Sequence, residues 1–193
     1  MINESFYWKN ELLKISGKIF KRTKSKRYWT SSQEGTFEKE IMFGFYIIRK
    51  LIESKKLSNS LVSTKLVGRK FISNGKNVTI LNNHRIDELY KLTDGKKEKF
   101  DLIFLCNQIV HSYIFLPVFE DGIKPNNSIL SGIWFCSNEK RNETLYELNI
   151  ESIIILFQKI SNDYPSRSSF HFDLVKRDYK VFNENVESEF PSI

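Results

Sequence analysis

The chain is poor in the residues that build most metal centres and phosphate-cradling loops. Its 193 residues include two cysteines, three histidines, eight glycines and four prolines. Cys106 and Cys136 stand apart in apolar surroundings, with no second Cys or His at metal-ligand spacing, which argues against a zinc site. Both are expected to stay reduced and to pack as small hydrophobes. The glycines form neither a phosphate loop nor a Gly-x-Ser-x-Gly elbow, so nucleotide-loop and serine-hydrolase chemistry lose their usual signatures. No metal and no cofactor is expected. The opening stretch, MINESFYWKNELLKISGKIF, is broken by charges where a secretory signal would run apolar, so a cytoplasmic location is expected. The longest uncharged run, LIFLCNQIVHSYIFLPVF at 102–119, is shorter than the roughly 20 residues that span a bilayer, and polar side chains and Pro117 interrupt it. No membrane segment is expected.

Apolar and aromatic residues are plentiful. A hydrophobic content of 40% with 16 Phe is enough to bury a core of ordinary domain size. One globular domain over 1–182 is expected, followed by a flexible acidic tail at 183–193, NENVESEFPSI. The net charge of +7 is unevenly placed. Residues 1–30 hold eight basic side chains against Glu4 and Glu11, whereas the other 163 residues hold 22 basic against 21 acidic. Lys18, Lys21, Arg22, Lys24, Lys26 and Arg27, with Trp29 behind them, form a candidate nucleic-acid grip in which cations meet phosphates and an aromatic stacks on a base. The plainer reading is a solvated helix end, where basic residues complement the helix dipole.

Four helices are predicted. The first covers roughly 5–22. The second runs through TFEKEIMFGFYIIRKLIESKKLS, with Thr36 as N-cap and Phe37, Ile41, Phe45, Ile48 and Ile52 as its buried stripe. LVGRKFI, the turn SNGKN and VTIL read as a β-hairpin, because Asn-Gly between β-prone runs favours a tight turn. The third helix follows TDGKKEK and is expected to stop near Leu116, ahead of Pro117. ILSGIWFCS and TLYEL read as a second hairpin, Asn149 as the N-cap of a fourth helix, and SSFHFDLV and YKVF as edge strands. The fold class expected is α+β, with a bundle-like helical core of about four helices and two peripheral β-hairpins.

Within the uncharged run, Asn107 and His111 lie one helical turn apart on one face, with Gln108 and Ser112 beside them. The segment CNQIVH at 106–111, taken with the four-helix count, resembles the signature of HEPN domains. In that signature an arginine precedes a polar residue, often Asn, and three variable residues lead to a histidine. The resemblance implies an all-helical bundle, and a metal-independent ribonuclease of the kind found in toxin–antitoxin and phage-defence systems. It assigns Asn107 to the polar position and His111 to the histidine. Cys106 stands where the family has arginine, so the cation that stabilises the transition state must come from elsewhere, and Arg49 and Arg85 are the candidates.

Metal-free RNA cleavage needs an acid or base titrating near neutrality, a positive group on the phosphate and a group orienting the ribose. His111, Arg49 and Asn107 suit these roles. Two functions from different classes follow. One is an RNA-binding or RNA-cleaving protein with RNA as partner. The other is a non-catalytic interaction module, as a homodimer or with another macromolecule, whose polar stripe is structural. His84, in a turn-rich stretch, and His171, between Phe170 and Phe172, are weaker candidates for chemistry.

Overall fold

The structure, a computed structural model, describes residues 2–25, 29–121 and 128–185. Two long helices come first, α1 (Ser5–Thr23) and α2 (Ser31–Glu53), followed by the single turn α3 (Asn59–Val62) and strand β1 (Lys65–Ile72). A long connection carries the single turn α4 (Ile86–Leu89) and a 3₁₀ turn (Leu92–Asp94). Then come β2 (Lys96–Asp101), α5 (Leu102–Val110), β3 (Ser112–Asp121), β4 (Ser128–Ser137), β5 (Thr144–Asn149), α6 (Ile150–Ser161), β6 (Arg167–Asp173) and β7 (Asp178–Glu184).

Five strands form one sheet in the order β2-β1-β5-β4-β3, antiparallel at every pairing, and β6 and β7 form a separate hairpin. Strand alternation puts Phe100, Tyr146, Phe135 and Phe115 on one face. That face meets the helices. Phe100 stacks on Phe104 of α5, and Phe115 lies 6.1 Å from Phe37 of α2, ring to ring. α1 buries Leu12, Ile15 and Ile19, and α6 buries Ile153, Ile154, Phe157 and Ile160, each set at the three- and four-residue spacing of one helical face. The Phe157 ring of α6 packs directly on Gly44 of α2, where any Cβ would collide with it. Part of the opposite face, including Phe71, Leu145, Cys136 and Ile114, is also buried. The connection between β1 and β2 covers it, with Tyr90 donating its hydroxyl proton to the Arg141 carbonyl and touching Cys136 Sγ.

The α+β class expected from the sequence is what the chain forms, but its centre is the sheet and not a helical bundle. The all-helical architecture implied by the HEPN resemblance is absent. The expected first hairpin does not form: β1 pairs with β2 and β5, while Ile80 and Leu81 of VTIL are 79% and 81% exposed. Gly75 does turn the chain, at φ 82°, yet of the stretch that follows only Val78 is buried, and β1 pairs instead with β2 and β5, which bury Phe100, Leu145 and Leu148. The third helix stops at Val110, six residues before the expected end, and SYIFLPVF enters β3. Its β-branched and aromatic residues favour the strand, and β3 is an edge strand, where a proline is tolerated. α2 begins earlier than expected, because Thr30 and Gln33 form a reciprocal capping box, while Thr36 lies inside the helix with its hydroxyl donating to the Ser32 carbonyl.

Other expectations match. α1, the β4–β5 hairpin, α6 and the two C-terminal strands all form, and Asn149 Oδ1 caps α6 by accepting from Glu151 N at 2.8 Å. Of the tail expected at 183–193, Asn183 is buried within β7, donating to the Lys55 and Leu57 carbonyls, and residues 186–193 lie outside the described ones.

Candidate functional site

α5 crosses the helix side of the sheet from the edge strand β2 to the opposite edge strand β3. Leu102, Leu105, Cys106 and Ile109 are buried, which leaves Asn107 and the helix-terminating His111 at the surface. Gln108 is buried and accepts from Ser137 N at 3.1 Å, tying α5 to β4. His111 N–H donates to the Asn107 carbonyl at 3.2 Å, closing the last turn. α2 packs beside α5 with Phe45, Ile48 and Ile52 buried, so Arg49 and Glu53 emerge beside the end of α5.

Arg49 Nη1 donates to His111 Nε2 at 3.2 Å. This contact joins two residues 62 positions apart in the chain. Arg49 Nε donates to Glu53 Oε1 at 2.9 Å, and Lys50 Nζ donates to Glu53 Oε2 at 2.7 Å. Hydrogen bonds from Lys50 and Arg49 hold the Glu53 carboxyl below its usual range, and the same carboxylate raises Lys50. Cys106 is buried under this cluster. Burial pushes its thiol up to about 12, and the nearby Arg49 charge pulls in the opposite direction. The cysteine is therefore not a nucleophile at neutral pH.

Beyond His111, Ser112 faces Ser137 across β3 and β4, and neither hydroxyl has a hydrogen-bond partner among the described residues. Ser112 and Tyr113 also line a cleft of about 200 Å³ with Glu38, Met42 and Asn83. The Arg141 guanidinium lies 4.2 Å from the Tyr113 ring centroid. Arg85, the other candidate cation, is 3.8 Å from Glu88 and makes no contact with His111.

No protein-family model, curated protein or solved structure matches this chain. What the site can do follows from its side chains.

Arginine has donors only, so in the 3.2 Å contact Arg49 donates and Nε2 of His111 accepts. In this arrangement a cation lies at the Nε2 edge of the imidazole. An oxyanion reaching Arg49 would compete for the same guanidinium and leave Nε2 free to take a proton. Asn107 is exposed one turn back on the same helix.

The N-terminal cluster is arranged differently from the grip expected. Lys18 and Arg22 both meet Glu40, at 3.8 and 3.1 Å, and Glu40 is buried. Trp29 is not an open stacking platform, since its ring packs edge-on against Phe37 and Phe119 at 5.1 and 5.2 Å. Lys24 sits over the Phe20 ring, Lys21 is exposed, and Lys26 and Arg27 lie outside the described residues. His84 is exposed, and His171 packs against Phe182 on the C-terminal hairpin. Among the described residues no group of three or more His, Cys, Asp and Glu is placed to hold a metal ion, and no helix is long and apolar enough to cross a membrane.

Sequence reasoning missed Glu53, although its position four residues after Arg49 on one helix is a readable signal. It also missed the pairing of Arg141 with Tyr113, which no spacing announces.

Proposed function

We propose that this protein cleaves RNA without a metal ion, by chemistry like that of HEPN ribonucleases carried on a different fold. The observation that supports this reading is the 3.2 Å contact between Arg49 and His111, which supplies a cation beside the histidine although Cys106 occupies the motif position for arginine. In this reading Asn107 orients the ribose or the phosphate. His111 Nε2 accepts the 2′-hydroxyl proton, the 2′-oxygen bonds to phosphorus, the P–O5′ bond breaks, and the leaving oxygen takes a proton from water. The products are a 2′,3′-cyclic phosphate and a 5′-hydroxyl end. Arg49 stabilises the charge that grows on the phosphoryl oxygens. The biological setting that goes with such chemistry is a defence or toxin–antitoxin system.

The test is cleavage of end-labelled single-stranded RNA in excess EDTA. Loss of the general base in His111→Ala is expected to slow cleavage by roughly 10²–10⁴-fold, and Arg49→Ala by roughly 10²–10³-fold. Absence of cleavage by the wild-type protein sinks the proposal.

One observation favours a non-catalytic interaction module instead. Glu53 already occupies both Arg49 and Lys50, so the Arg49–His111 contact can serve as a surface tie between α2 and α5. On that reading His111→Ala changes stability by less than about 1 kcal/mol and changes no RNA.

A further inference from the structure

The antiparallel register of β1 and β2 sets Arg69 opposite Lys97 and Lys70 opposite Lys96. Like charges facing each other directly on neighbouring strands oppose the pairing. Two such pairs occur in succession here. Nearby acids offset them only in part: Arg69 meets Glu147 at 3.7 Å and Lys65 meets Asp101 at 3.3 Å, and Glu98 shares the face of Lys96 and Lys70, while Lys70, Lys96, Lys97 and Lys99 form no ion pair among the described residues. Lysine on an edge strand guards against edge-to-edge aggregation, and β2 is an edge strand. That role explains lysines on β2. It does not explain matching cations on the interior strand β1.

The alternation of side chains sends the two pairs to opposite faces. Arg69 and Lys97 share the face away from the helices with Lys65, Lys99 and half-exposed Val67, and Lys70 and Lys96 lie on the helix side. The edge is thus cationic on both sides. On the open face one row of partners crosses the whole sheet, Lys97, Arg69, Glu147, Trp134 and Leu116. Trp134 is half-buried and donates its indole proton to Glu147 at 2.7 Å, so an aromatic ring is fixed in the same row as the cations.

The topology also orients this edge towards His111. The row of Lys96 runs through Lys70, Tyr146 and Phe135 to Phe115, near the start of β3, so Lys96 and His111 belong to the same end of the sheet. Measured across the strands, four spacings separate β2 from β3, about 19 Å, and His111 lies four residues before the Phe115 of that row. The turn between β4 and β5, carrying Lys140 and Arg141, lies between the two at that end. Arg141 there rests on Tyr113, two residues after His111.

We propose that the β1–β2 edge, through Arg69, Lys70, Lys96 and Lys97, holds the phosphodiester backbone of single-stranded RNA, which runs along that end of the sheet past Arg141 to His111. The destination of the strand rests on the RNA-cleaving reading. The binding does not. Cations that grip phosphates and an aromatic that stacks on bases are the two components of sequence-tolerant single-strand binding.

The experiment measures binding of a fluorescent oligouridylate to His111→Ala protein by anisotropy over a salt series, so that cleavage does not interfere. Lys96→Glu/Lys97→Glu is expected to weaken binding at least tenfold and to make the dependence on log salt shallower by about 1.4, since each phosphate that is no longer neutralised removes about 0.7 from the slope. Lys96→Gln/Lys97→Gln, with far-UV circular dichroism as a folding check, gives the same direction with a smaller loss in affinity. Unchanged affinity and slope overturn the proposal. So does an equal loss in Lys21→Glu/Lys24→Glu, which makes the same change in net charge at the N-terminal cluster. If the wild-type protein binds RNA through these lysines but does not cleave it, the catalytic reading falls and this one stands. If it cleaves RNA and the β2 variants bind unchanged, the reverse holds.

Discussion

Lys18 and Arg22 near the end of α1 and Lys96 and Lys97 at the start of β2 look alike as sequence, two dense patches of basic residues, yet the fold treats them in opposite ways. The first pair closes on Glu40, a buried carboxylate of α2. The second pair lies opposite Arg69 and Lys70, and neither lysine forms an ion pair among the described residues. A buried charge needs a partner, so cations near Glu40 serve the interior, and their number says little about an external ligand. A facing pair of cations at a sheet edge costs stability and leaves charge to be used outside. Charge counted along a chain measures neither situation.

Four changes would break or sharpen this contrast. Glu40→Ala removes the buried anion and leaves Arg22 half-buried, with its Nε already lacking a hydrogen-bond partner among the described residues; urea unfolding is expected to show a loss of about 3 kcal/mol. Thr30→Ala removes the cap at the start of α2, next to Trp29 and Arg22, and is expected to cost about 1 kcal/mol in the same measurement. Lys97→Glu turns the facing pair with Arg69 into an attractive one, so stability should rise by about 0.5 kcal/mol while RNA affinity falls. A stability unchanged or lowered would show that the like-charge pairing carries no cost. Lys21→Ala, at an exposed position with no ion pair among the described residues, is expected to stay within about 0.5 kcal/mol of wild type.

Much of the fold can be read locally, and the departures share a cause. α1 and α6 declare themselves by apolar spacing and, for α6, by the Asn149 cap, because a helix closes its hydrogen bonds within its own segment. The β4–β5 hairpin is nearly as local. For β1 the Asn-Gly turn points to a near neighbour, whereas its true partners, β2 and β5, are distant in sequence. The uncharged run reads as one helix because apolar content alone does not separate a buried helix from a strand. The break after His111 comes from β3 pairing with β4. Of the candidate site, Asn107 and His111 are legible as one turn of a helix, and Arg49 as a cation within an apolar run.

By itself, the sequence determined that Asn107 and His111 would share a helical face, that Cys106 would be buried beside them, and that no arginine would precede them in the motif. These follow from a 3.6-residue repeat and from hydrophobicity. Only the tertiary structure decided that Arg49, and not Arg85, stands 3.2 Å from His111, that Lys18 and Arg22 close on Glu40, and that Lys70, Lys96 and Lys97 meet across β1 and β2. Those outcomes depend on how α2 packs against α5 and which strands pair. Both are settled by burying apolar area shared between distant segments, a quantity that no single segment contains.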